Sequence, residues 1–62
     1  MDTISRSELI RSIAETLNIS LPEAARRVSF TVEELELEGT EYGPHAAAEI
    51  ERCIAADVRA GK

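Results

Sequence analysis

Apolar residues along this chain return at the spacing of helices. Leu9, Ile10, Ile13, Ala14 and Leu17 recur at i, i+3 and i+4, and Ser5 with Glu8 makes a capping-box signature ahead of them. This predicts a first helix over about 6–17. Asn18-Ile19 breaks the period, with Ile19 placed to tuck under the junction as a hydrophobic staple. Ser20 can cap the next helix, Pro22 sits in a first turn where a missing N–H costs nothing, and Glu23 completes a second box. The second helix is expected over about 21–38, closed by Gly39 at the position where left-handed backbone often ends a helix. Residues 28–32 and 35–38 also alternate as strands do, although no Gly, Asn or Pro near Glu33-Glu34 supplies a hairpin turn. After a loop over Gly39-Thr40-Glu41-Tyr42-Gly43, Pro44 opens a third helix of about 44–60 with the stripe Ala46, Ala47, Ile50, Ile54 and Val58. The expected fold class is all-α: one three-helix domain over 1–62, a helical hairpin followed by a C-terminal helix.

The second helix is apolar on two sides. Leu21, Ala24, Ala25, Val28, Val32 and Leu35 cluster on one face, while Phe30 and Leu37 fall nearly opposite. Either the flanking helices grip it from both sides, or Phe30 and Leu37 form an interface with another subunit. Chain length favours the interface. A domain of 62 residues buries only roughly 60% of the surface its unfolded form exposes, and the single Cys53 has no partner for a disulfide within the chain. A homodimer is therefore expected. The lone thiol fits a reducing cytoplasm, no apolar run approaches the roughly 20 residues of a membrane span, and Arg6 and Arg11 interrupt any early signal-like stretch.

Net charge is −5 and is unevenly placed. Residues 1–27 balance Asp2, Glu8, Glu15 and Glu23 against Arg6, Arg11, Arg26 and Arg27, whereas residues 28–62 hold eight acids against Arg52, Arg59 and Lys62. The second half thus speaks against a phosphate-tracking surface. Glu34, Glu38 and Glu41 are expected to line one side of the second helix and its end, with Glu33 and Glu36 flanking. Negative charge would gather where the helix dipole is already negative. Such a cluster serves solubility, or it is offered to a basic partner.

Catalytic chemistry is poorly provided for. The sole His45 and sole Cys53 share an i, i+4, i+8 stripe with Glu49, but one chain supplies too few ligands for a metal, and no base stands ready beside the thiol. The sequence has no Gly-rich phosphate loop and no paired-cysteine zinc spacing. Phe30 and Tyr42 lack the interleaved cations of a single-strand stacking platform, so Tyr42 reads as a loop anchor. No enzymatic activity, cofactor or metal is expected.

Two local resemblances bear on function. Ile13-Ala14-Glu15-Thr16-Leu17-Asn18-Ile19-Ser20, followed by Ala24 and Val28, resembles the helix-turn-helix of bacterial repressors, with Asn18 where such turns prefer glycine. That resemblance implies Arg26 and Arg27 facing a DNA groove and Arg6 or Arg11 on phosphates, with Glu23 opposing them. Ser7-Glu8-Leu9-Ile10, Ile13-Ala14-Glu15, Ile19-Ser20 and Ala24 resemble the opening hairpin of the HU and integration host factor family, over residues 4–36. This second resemblance implies a dimerising hairpin, but the basic arms and sheet with which that family grips DNA have no counterpart in the acidic second half. In character, though not in sequence, the chain is similar to small acidic inhibitors made by phages. The expected function is a dimeric, non-enzymatic interaction module that binds a basic protein, and the alternative is a helix-turn-helix-like DNA-binding regulator.

Overall fold

Serine caps set where the first two helices begin. A computed structural model of the chain describes residues 2–62. Ser5 has extended backbone and its Oγ accepts from the Glu8 N–H at 3.2 Å, opening α1 over Arg6–Leu17. Ser20 does the same for the Glu23 N–H at 3.2 Å and opens α2 over Leu21–Glu34. The third helix, α3 over Pro44–Arg59, has no side-chain cap on its first turn and begins with Gly43 and the preset φ of Pro44. Three helices with one very small sheet make an all-α domain, as the apolar spacing predicts.

All three helices stop by one backbone device. In α1 the left-handed Asn18 (φ 57°) turns the chain, and the Ile19 N–H returns to the Ala14 carbonyl at 3.0 Å. At the end of α3, Gly61 (φ 78°) does the turning and the Lys62 N–H reaches the Asp57 carbonyl at 2.8 Å. In α2 the left-handed residue is Glu36 (φ 56°), with the Glu36 N–H on the Glu33 carbonyl at 3.1 Å and the Leu37 N–H on the Val32 carbonyl at 3.0 Å. These paired bonds are those of a Schellman motif, which brings the residue after the turn back onto the last helical turn.

This corrects the sequence expectation. The second helix ends at Glu34 rather than near Glu38, and Glu36 rather than Gly39 takes the left-handed position after the cap. Leu37 therefore lies beyond the helix, packed against the core, and does not share an exposed face with Phe30. Nor do residues 28–38 form a strand.

A short antiparallel pairing closes the molecule. Strands β1 (Ile4–Ser5) and β2 (Glu41–Tyr42) pair with Ile4 opposite Tyr42 and Ser5 opposite Glu41, and the Arg6 N–H extends the ladder to the Thr40 carbonyl at 2.7 Å. The loop expected over 39–43 is thus tied to the chain's beginning. Tyr42 is buried, its hydroxyl donating to the Gly39 carbonyl at 3.2 Å and accepting from Arg6 Nε at 3.1 Å. It anchors the loop as expected.

Around Tyr42 the core gathers Leu9, Ile13 and Ala14 from α1, Ala24, Val28 and Val32 from α2, and Ile50 and Ile54 from α3. Ile19 packs against this cluster from the α1–α2 turn, in keeping with a staple. Leu21, expected on the inner face of α2, is instead exposed at its first position. The Cα radius of gyration of 10.6 Å is that of a compact domain of this length.

The left-handed Glu36 yields a test. A non-glycine residue there is strained, and its carboxylate stands at the negative end of a helix. Replacing Glu36→Gly is expected to raise unfolding free energy by about 1 kcal/mol in urea titration. An equal gain from Glu36→Ala would assign the effect to charge and reject the backbone account.

Candidate functional site: the outer face and acidic end of α2

The large apolar side chains that stand exposed among the described residues, Leu21 and Phe30, both lie on α2. Phe30 is 59% exposed and is left uncovered by α1 and α3, so the flanking helices do not grip α2 from both sides. Of the two residues expected at a subunit interface, only Phe30 has an open side chain. A shallow depression beside it is lined by Arg26, Arg27, Thr31, Asp57 and Lys62.

Upstream of Phe30 the cations are tethered. Arg27 Nε donates to Glu23 Oε2 at 2.7 Å, and its remaining guanidinium edge reaches the Lys62 carbonyl oxygen at 3.1 Å. Arg26 donates to Glu23 Oε1 at 3.1 Å. The two differ in freedom, since the Arg26 side chain is 69% exposed and that of Arg27 only 15%. Glu23 thus spends its carboxylate on Arg26 and Arg27 instead of returning it to the Ser20 N–H, so the second capping box is half made. The Arg27 hydrogen bond, then that of Arg26, holds the Glu23 carboxyl below its ordinary range.

Downstream of Phe30 the charge inverts. Glu33 and Glu34 occupy the last turn of α2, which holds no basic residue, Glu36 follows in the turn, and Glu38 lies just beyond it. With the helix ending at Glu34, Glu38 and Glu41 do not line up along it as expected. They follow on the irregular segment and on β2, where Glu41 Oε1 accepts from the Thr3 hydroxyl at 2.6 Å. All five carboxylates are exposed, and none has an ion-pair partner among the described residues.

The other sequence candidates are dispersed. Arg6 is spent on Tyr42, and Arg11 is exposed on α1. Of the four arginines named for DNA contact, Arg6, Arg26 and Arg27 are thus held by groups of their own chain. His45 is 97% exposed and stands 4.0 Å from Glu49, while Cys53 is half-buried. Among the described residues, no group of three or more His, Cys, Asp or Glu side chains is placed to hold a metal, and no helix is long and apolar enough to cross a membrane. Comparison with known proteins gives no matching family model, no similar curated protein and no similar solved structure.

The Glu23 pairing makes stability pH-dependent. A carboxyl whose folded pKa is depressed stabilises the fold above its unfolded value, and that contribution disappears as pH falls through the folded one. Unfolding free energy is expected to drop on acidification through this window, and Glu23→Gln to flatten the profile there. An identical acid profile in wild type and Glu23→Gln would remove the pairing from the account.

Proposed function

We propose that this protein is a non-enzymatic interaction module that binds a basic protein through Glu33, Glu34, Glu36, Glu38 and Glu41, and that it self-associates through Phe30. The observation that carries the proposal is the run of exposed carboxylates over 33–41 without cationic partners among the described residues. Exposed carboxylates beside a helix C-terminus weaken their own fold. A cationic partner removes that cost on binding and gains long-range steering toward the site. The same charges repel nucleic acid, while Glu23 pairs with both arginines that a helix-turn-helix would turn toward DNA and offsets part of their charge. A DNA-binding role accordingly has less support.

A lysine-rich peptide serves as the probe for the acidic end. Calorimetry should give binding that weakens steeply as salt rises, and the triple variant Glu33→Gln, Glu34→Gln, Glu38→Gln should lose at least about tenfold in affinity. The comparison is a variant with three other exposed or half-exposed acids neutralised, Asp2→Asn, Glu15→Gln and Glu51→Gln. Equal losses in both would reduce the acidic end to general surface charge.

Self-association is read separately by sedimentation equilibrium. The wild type should show a concentration-dependent dimer and Phe30→Glu a monomer with unchanged helical circular dichroism. A wild type that is monomeric throughout would remove the self-association part and leave the acidic site standing.

A further inference from the structure

The charges of α2 are inverted about Phe30. Arg26-Arg27-Val28-Ser29-Phe30-Thr31-Val32-Glu33-Glu34 places an arginine pair three and four residues before the exposed aromatic and a glutamate pair three and four residues after it. At helical spacing these four side chains border the Phe30 position. Arg26 and Glu33 lie seven residues apart on one flank, and Arg27 and Glu34 on the other, in each case about two turns. The outer face of one helix thus carries a positive half, an apolar centre and a negative half.

Such a face is complementary to itself in one orientation. From these positions we infer that the occupant of the Phe30 face is a second copy of this chain, with the two α2 helices antiparallel about a two-fold axis beside Phe30. This rests on the self-association proposed above and assigns it an orientation and register. In that arrangement the two Phe30 rings meet at the centre, and the exposed Arg26 of each copy lies against Glu33 of the other, while Arg27, 15% exposed, stays on its own Glu23. A parallel alignment would set arginine against arginine and glutamate against glutamate.

Two further features favour this occupant. Glu33 and Glu34 have no ion-pair partner among the described residues and stand in a last helical turn without a basic residue, where a guanidinium from the second copy offsets both the carboxylates and the dipole. Arg26, although bonded to Glu23, keeps most of its side chain in solvent and can serve both carboxylates. The length of α2, about 21 Å, limits the contact to less than the roughly 800 Å² per partner of a standard stable interface. The dimer is accordingly weak, reversible and salt-sensitive. While it is formed, Glu36, Glu38 and Glu41 remain for a basic partner, and Glu33 and Glu34 are engaged.

Charge exchange at exposed positions tests the register without touching the core. Arg26→Glu and Glu33→Arg should each weaken the homodimer about tenfold or more in native mass spectrometry at low ionic strength, while circular dichroism stays helical. Mixed together they should form a heterodimer, identifiable by its mass, in preference to either homodimer. The double variant Arg26→Glu/Glu33→Arg should regain the homodimer. If Arg26→Glu pairs as well as wild type, or if the mixture shows no preference for the heterodimer, the register is overturned while self-association stands. Absence of any wild-type dimer overturns both.

Discussion

The left-handed backbone at Glu36 is the constraint on which the rest of this molecule turns. Had α2 continued for another turn, Leu37 would have projected from its outer face and the segment leading to Tyr42 would have started from a different point. Because the chain reverses at Glu36, the Leu37 N–H closes on Val32 and its half-buried side chain packs against the core. The following residues then carry Tyr42 back to Ile4. One strained residue therefore decides both how α3 is delivered and how much of α2 is left uncovered. No side-chain preference of glutamate explains its occupying that position. It is held there by the Schellman bonds and by the packing of Leu37 against the core.

Glu36 also separates two kinds of acidic residue. Glu33 and Glu34 belong to the helix and share its face with Phe30, whereas Glu38 and Glu41 belong to the return path toward β2. The first pair can neutralise a neighbouring helix, and the second is presented on irregular backbone and a strand edge. On this division, the proposed self-association and the proposed capture of a basic partner draw on the same stretch of sequence, with Glu36, Glu38 and Glu41 left to the second alone. They compete only at Glu33 and Glu34.

Much of the fold was legible because it is coded locally. Ser5, Ser20 and Pro44 mark helix starts by chemistry that acts within one turn, and Asn18 and Gly61 are residues that tolerate left-handed backbone. The end of α2 was not legible, because glutamate is a good helix former and gives no local signal at position 36. The helix stops where the reversed chain packs Leu37 against the core, a tertiary contact. The β1–β2 pairing escaped for a similar reason, since two-residue strands far apart in sequence leave no periodic trace. Of the candidate site, the exposure of Phe30 and the acidity of residues 33–41 were readable from helical geometry and charge. The tethering of Arg26 and Arg27 by Glu23 was readable too, as an i, i+3 and i, i+4 pairing, yet the capping-box pattern at the same residue pointed elsewhere.

The position of Tyr42 has a practical side. It is the sole tyrosine in a chain without tryptophan, and it is buried where β1, the α2–α3 connection and the start of α1 meet. Its near-ultraviolet signal therefore comes from one place. Loss of the Ile4–Tyr42 pairing and loss of the whole fold would be told apart by comparing that signal with the helical signal, so the molecule carries its own optical gauge of whether its closing clasp opens before its helices melt.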